Sequence, residues 1–297
     1  MNFALSDDQE ALRDAARDVL AKDATWASLD EMGVFGLLVP EAGGGLGLDE
    51  TYLAPILEEA GRVAFGGPIV ETAMVAAPLI GLGHGVATTD LGGPNVAWAA
   101  DADALLLRDG DGLRLFGPGD VVLDALDTVD VTRRAARVVS ARRGEPVAGD
   151  VARACDRGAL GTAAILVGLA QAMLDMTVAY VTERRQFGQP VGSFQAVKHH
   201  LADARLAIEF ARPVVWRAAW SVARDTDDRA RDVSTAKAMA SEAAELVGRK
   251  ALQCHGAIGY TVEYDLHLFL KRTWALSRAW GDAAQHADRV AAALTLS

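Results

Sequence analysis

Apolar residues recur at Leu12, Ala15, Ala16, Val19 and Leu20, one face of a helix that opens after Ser6-Asp7-Asp8-Gln9, an N-cap sequence. The Gly/Pro-rich stretch GVFGLLVPEAGGGLGLDE (33–50) breaks that periodicity, TYLAPILEEAGRV (51–63) resumes it, and helix is expected to about Leu82. Over about 85–150 short apolar runs separated by Gly and Asp read as strands, and DGDG (109–112) between LLLR and LRLF marks a hairpin. Helical periodicity then returns. GALGTAAILVGLAQAMLDMTVAYVTERR (158–185) is apolar around most of its circumference, which predicts a helix buried on nearly all sides. A helix over 194–225 with a kink at Pro213, one over 234–260 and a last one from about Tyr264 complete four long antiparallel helices with short connections, a bundle. The pattern therefore predicts a mainly α protein with a small β-domain: an N-terminal helical domain over 1–84, a reduced middle β-domain over 85–150 and a C-terminal four-helix bundle over 151–297.

Composition narrows the function classes. Hydrophobic residues are 51% and charged residues 23% of the 297, which fits a folded, helix-rich protein and argues against disorder. A net charge of -11 argues against general binding to nucleic acid or an anionic membrane, so any cluster of arginines stands out. The two cysteines, Cys155 and Cys254, suggest neither a metal site nor a disulfide framework and fit the reducing cytoplasm. The first twenty residues are acidic and amphipathic, unlike a signal peptide, and no apolar run reaches about 18 residues without a charge, so no membrane span is expected.

The segment ERRQFGQPVGSFQAVKHH (183–200) carries the clearest chemistry. It sets Arg184, Arg185 and Gln186 at the end of one long helix and starts another within about ten residues. Arg binds phosphate through a planar two-pronged fork, and arginines at a helix C-terminus also interact well with the macrodipole; spacing alone leaves both readings open. Other features read as structural. GGGLG (43–47) lacks the strand–loop–helix setting of a phosphate loop, DGDG lacks calcium-ligand spacing, His199 and His200 lack partners at ligand spacing, and no Gly-x-Ser-x-Gly elbow is present. Packing is the expectation for Cys254 and His255.

Arg184-x-Gln186-Phe187-Gly188 followed by Phe194-Gln195 resembles a signature of the acyl-CoA dehydrogenase family. QCHGAIGYTVEYDLHLFLKR (253–272) resembles that family's Gln-x-x-Gly-Gly-x-Gly-Tyr segment, and 33–50 resembles its N-terminal loop, all in the family's order. The resemblance implies N-terminal helices, a middle β-domain and a C-terminal four-helix bundle, with FAD lying between subunits. It further implies that Arg184, Gln186 and Phe187, with Gln253, Gly256, Ala257 and Gly259 behind them, hold the diphosphate and adenosine end of a flavin seated in the neighbouring subunit. The chemistry suits those residue types, since Arg neutralises diphosphate and small residues let backbone N–H groups approach it.

The family's reaction is α,β-dehydrogenation of an acyl-CoA thioester, in which a Glu removes the α-proton while hydride leaves the β-carbon. Here the two positions where members carry that Glu fall on Gly281 and Gly158, and a general base is worth roughly 10²- to 10⁴-fold in rate. Asp282 is the nearby substitute, with a side chain one methylene shorter, and a shift of about 1 Å can cost on the order of 10²-fold. Asp156 reads as a helix cap. The family's Thr-Glu-Pro-x-x-Gly-Ser-Asp and Trp-Ile stretches are missing from 83–150. These departures resemble the chain without the base in heteromeric α2β2 acyl-CoA dehydrogenases of actinobacterial steroid catabolism. The implied partners are a second, Glu-bearing subunit, an acyl-CoA substrate and an electron-transfer flavoprotein. A homo-oligomer using Asp282 and a flavin-free scaffold are the alternatives.

Overall fold

Ser6 opens α1 (Asp7–Lys22) with a reciprocal cap: its Oγ accepts the Gln9 N–H at 3.3 Å and the Gln9 Oε1 accepts the Ser6 N–H at 2.9 Å. A computed structural model of the chain describes residues 4–81, 85–93, 95–142 and 144–295. Thr25 caps α2 (Trp26–Glu31), 3-10 turns occupy much of the Gly/Pro-rich stretch, and Asp49 caps α3 (Glu50–Arg62). A π-type turn, Val70–Ala76, runs into the short α4 (Ala77–Ile80), which Gly81 ends at φ 79°. The expected helical limit at Leu82, and residues 1, 84 and 297 used above as domain limits, lie outside the described residues.

The strands form two small sheets. β1 (Ala87–Asp90) pairs in parallel with β3 (Ala104–Asp109), which forms the expected hairpin with β4 (Gly112–Phe116) in the register Asp109↔Gly112; β7 (Glu145–Val147) closes that sheet. β2 (Asn95–Ala97), β6 (Ala135–Ala141) and β5 (Val121–Leu126) form the other, in that order. Val96, Leu105, Leu107 and Phe116 are buried between them, a core separate from the one the helices share.

The helical core centres on α5 (Val151–Glu183), α6 (Gln195–Ala223) and α7 (Arg229–His255). By length and composition α5 could cross a membrane, but 72% of its most apolar window is buried inside the molecule, as expected of a central bundle helix. Gly61 and Gly168 let α3 cross α5 closely: a Cβ on either would run into the other helix's backbone. α6 passes through Pro213 as one helix, so the kink expected there does not interrupt it; beside it Arg212 ties α6 to Glu58 of α3 at 2.8 Å.

The last helix departs from expectation. It is split into α8 (Leu266–Leu276) and α9 (Ala283–Thr295). The break has a local cause: Trp280 and Gly281 both adopt positive φ, 58° and 97°, which no helix continues through, and Asp282 restarts the helix as its cap. Arg272 of α8 is buried and fastens the helices to the β-region through the Asp130 carboxylate, the Thr132 hydroxyl and the Phe65 carbonyl.

Candidate functional site

Arg184 terminates α5, its N–H donating to the Tyr180 carbonyl at 2.8 Å. β8 (Arg185–Gln186) then pairs with β9 (Gln189–Pro190) across a two-residue turn in which Phe187 and Gly188 both have positive φ, 51° and 80°. That geometry favours Gly at the second position and leaves Phe187 strained at the first. Phe187 stands 91% exposed, touched edge-on by Phe194 at 6.2 Å. Among the described residues neither Arg184 nor Arg185 forms an ion pair.

α7 ends at Gly256, whose φ of 64° suits glycine, with open space where a side chain would stand. The 3-10 turn Gly256–Tyr260 follows, with Gln253, Gly256, Ala257 and Tyr260 exposed and Gly259 buried against His255 and Leu252. Three rings join this loop to the Arg184 corner. Tyr180 stacks on His255 at 4.4 Å and 20°, and Tyr264 meets the pair at 5.9 and 4.8 Å. The structure thus brings Arg184, Gln186, Phe187, Gln253, Gly256 and Ala257 to one end of the bundle, where unpaired guanidinium groups and accessible backbone face away from the core. Those residues suit an extended anionic group that also presents a flat ring. His255 serves the packing: Nδ1 bonds the Ala251 carbonyl at 2.8 Å, and burial pushes its pKa down. His199 is exposed, and His200 Nδ1 lies 3.1 Å from Lys250 Nζ, a surface contact as expected.

A second constellation lies at the start of α5. Gly158 and the turn carrying Gly281 are neighbours in space, so the two positions at which the family resemblance looked for a carboxylate converge. A Cβ on Gly158 would overlap the Trp280 indole, and one on Gly281 would approach His286 Nε2 to 2.8 Å. Asp282 is occupied with capping: its Oδ1 accepts the Gln285 N–H at 2.9 Å while Gln285 Oε1 accepts the Asp282 N–H at 3.0 Å. Asp156 is not the cap expected of it. Asp150 caps α5, whereas Asp156 lies inside the helix, 1% exposed, between Arg229 at 2.9 Å and Arg289 at 3.0 Å.

Beneath the Trp280 turn sits Lys237 of α7, fully buried, its Nζ donating to Gly281 O at 2.9 Å, Ser277 O at 3.1 Å and Ser241 Oγ at 3.2 Å. Desolvation lowers its pKa to about 7. His286 Nε2 bonds the Trp280 carbonyl at 2.9 Å, and burial takes its pKa down to about 4. In front of the turn a cleft of about 500 Å³ opens between the β-region and the bundle, lined by Asp90, Asn95, Arg133, Cys155, Trp280 and Gln285 among others. Burial raises the pKa of Asp90, which accepts the Gly92 N–H at 2.8 Å.

Sequence reasoning overlooked Lys237, His286, Arg133 and Trp280. Lys237 left one readable sign: its helical neighbours Val233, Ala240, Ser241 and Ala244 are all small and buried, so a lysine in that register breaks the pattern.

Residues 150–295 match the model of the acyl-CoA dehydrogenase C-terminal domain, and residues 6–85 that of the acyl-CoA dehydrogenase N-terminal domain. The chain is 32% identical over 296 residues to acyl-CoA dehydrogenase IpdE2 of Mycolicibacterium smegmatis, covering 95% of this chain and 92% of that protein. Among solved structures it is similar in fold to the ChsE4-ChsE5 complex from Mycobacterium tuberculosis, with a TM-score of 0.88 at 23% identity and full coverage of both chains. It likewise follows the Tcur3481-Tcur3483 steroid ACAD G363A variant, with a TM-score of 0.86 at 24% identity over 97% of this chain and 98% of that one.

Proposed function

The chain belongs to the acyl-CoA dehydrogenase family, and from that premise we propose that it is one subunit of a two-chain, FAD-dependent acyl-CoA dehydrogenase, with the catalytic Glu on the partner. One observation carries the division of labour: both positions for the base are glycines, they meet in space, and the Trp280 indole covers one of them. A glycine removes no proton, and Asp282 is engaged as a cap.

This chain's contribution lies at the bundle end. Arg184 neutralises the cofactor's diphosphate, Gln253 and the backbone N–H groups around Gly256 and Ala257 donate to it, and Gln186 and Phe187 border the adenosine end. Bound FAD supplies the hydride acceptor for the β-carbon of the thioester. Because these residues are exposed and turned away from the chain's own core, they suit a cofactor seated largely in another subunit. A scaffold without flavin would have no use for two unpaired arginines beside an open glycine turn.

The relatives point the same way on partner and substrate. The ChsE4-ChsE5 structure is described as a complex, and the Tcur3481-Tcur3483 pair as a steroid ACAD. These likenesses support an α2β2 assembly acting on a steroid-derived acyl-CoA, with an electron-transfer flavoprotein receiving the electrons, and the two free cysteines, Cys155 and Cys254, suit a reducing cytoplasm.

The test is the visible spectrum and native mass of the chain purified alone and after co-expression with a Glu-bearing acyl-CoA dehydrogenase homologue from the same genome. Colourless protein alone, and a yellow complex with about one flavin per pair of unlike chains, is the expected result. A yellow homo-oligomer that turns over acyl-CoA by itself would overturn the proposal.

A further inference from the structure

Arg133 differs from the other sheltered arginines. The side chains of Arg157, Arg212 and Arg229 are 15%, 17% and 15% exposed, and each holds a carboxylate, at 2.7, 2.8 and 2.9 Å. Arg133 is about as sheltered, at 18%, yet its guanidinium forms no hydrogen bond with any described residue. The carboxylate beside it, that of Glu71, keeps Oε1 3.9 Å from Nη2, beyond hydrogen-bond reach, and Nε is buried without a partner. Withdrawing a guanidinium from water without giving it acceptors is costly, and such a group calls for a reason beyond packing.

The side chain is also held in place. Trp98, at φ 56°, donates its indole N–H to the Thr132 carbonyl at 2.9 Å and its backbone N–H to the Arg134 carbonyl, so it grips the chain on both sides of Arg133, and its ring lies 5.5 Å from the guanidinium carbon. The Arg133 N–H bonds the Asp130 carbonyl at 2.9 Å, and Asp130 and Thr132 are themselves fastened by buried Arg272. A guanidinium fixed in this way loses little further freedom when a ligand meets it.

Arg133 lies on the wall of the cleft of about 500 Å³ between the β-region and the bundle, a size that accepts an organic ligand. The rest of the lining is mixed: Asn95 and Gln285 bring amide groups, whereas Ala275, Ala279 and Trp280 form an apolar side. Burial raises the pKa of both Glu71 and Asp90, which moves these carboxyls toward the neutral form and leaves more of the Arg133 charge uncompensated. A dianionic phosphate would still crowd against two carboxyls. A single carboxylate suits the planar fork better, and it can carry an apolar body that leaves water against the alanine and indole side.

We propose that this cleft is a binding site for a monocarboxylate on an apolar frame, with Arg133 taking the carboxylate and the side formed by Ala275, Ala279 and Trp280 taking the frame. The site stands on the guanidinium and the cleft alone and needs neither the flavin nor the partner's Glu.

The experiment titrates the full chain by calorimetry with naphthoate, with naphthalenemethanol, which keeps the rings and lacks the charge, and with inorganic phosphate. Wild-type protein is expected to bind naphthoate at least about tenfold more tightly than either of the others. Arg133→Gln should bind the acid and the alcohol alike, and Arg133→Lys should keep part of the preference. Ala279→Phe, on the apolar side, should weaken acid and alcohol together several-fold. Wild-type protein that does not distinguish acid from alcohol, or that binds phosphate as tightly as naphthoate, would overturn the proposal. So would a preference that survives in Arg133→Gln, since the acid would then be held elsewhere, for instance at Arg184 and Arg185. If Arg133→Gln does not fold, Ala279→Phe decides: naphthoate binding unchanged there would place the ligand outside the cleft.

Discussion

The ring of Tyr180 lies 4.4 Å from that of His255 and 20° from parallel, and this stack fastens the last turn of α5 to the last turn of α7. The two loops that resemble cofactor segments in sequence are about seventy residues apart, and the stack holds them at one end of the bundle. A stacked pair contributes about 0.5–1.5 kcal/mol beyond its buried area. Tyr180→Ala should therefore lower the flavin retained by the co-expressed complex several-fold, with assembly preserved, while Tyr180→Phe keeps the ring and the flavin. The ratio of visible to ultraviolet absorbance after gel filtration measures it. Full flavin in the alanine variant would show that the loops are positioned by other contacts.

Asp282 separates capping from catalysis. Asn caps a helix about as well as Asp, whereas Ala at such a position costs about 0.5–2 kcal/mol. Asp282→Asn is expected to leave both stability and the turnover of the assembled enzyme nearly unchanged, and Asp282→Ala to lower the unfolding free energy without altering turnover. Urea unfolding and a steady-state dye-reduction assay read the two effects. A drop in turnover of about 10²-fold or more in the asparagine variant would restore the carboxylate to the chemistry.

Asp156 has the opposite character. Its carboxylate is 1% exposed and receives Arg229 and Arg289, so its loss removes the buried partner of Arg229, which keeps only Asp225 and, at 3.7 Å, Asp150, both more than half exposed. Removing one partner of a buried ion pair costs about 3–5 kcal/mol; because Arg289 is 44% exposed and can turn to water, the lower end of that range is expected for Asp156→Ala. Equilibrium urea unfolding decides it: a loss under about 1 kcal/mol would mean that Asp225 and Asp150 suffice for Arg229 and that Arg289 is satisfied by water.

Much of this molecule was legible in the chain, for physical reasons that also mark where legibility ended. Ser6 and Gln9 announced α1 because both halves of a capping box are local, and DGDG announced the β3–β4 hairpin because a two-residue turn demands its own residues. The corner of Arg184, Gln186 and Phe187 at the end of α5 was legible as a corner because the three share one short segment. The break before α9 was not: Trp280 at positive φ is imposed by Lys237, His286 and Gly158, which lie distant in sequence. For the same reason Asp156 read as a cap, since the arginines that bury it come from α7 and α9.

The pair that holds the Trp280 turn gives stability a dependence on pH whose sign follows from linkage. His286 has a folded pKa near 4 against 6.5 when free, chiefly through burial and then through nearby Lys237 and Arg289. Between those values the unfolded chain binds more protons than the folded one, so the stability it contributes is complete above pH 6.5 and is lost as pH falls toward 4, at up to about 1.4 kcal/mol per pH unit. Lys237 acts in another window: its pKa is near 7 folded and 10.5 free, so the cost of burying its charge is fully present below pH 7 and is relieved as pH rises toward 10.5. Its three oxygen partners favour the ammonium and temper that relief. Comparing unfolding free energies from pH 4 to 10, His286→Gln should flatten the acid limb and Lys237→Met the alkaline limb. Carboxylates elsewhere titrate alike in both proteins, so the difference between wild type and variant isolates each group. Profiles that run parallel across the whole range would show that neither group changes its protonation on folding.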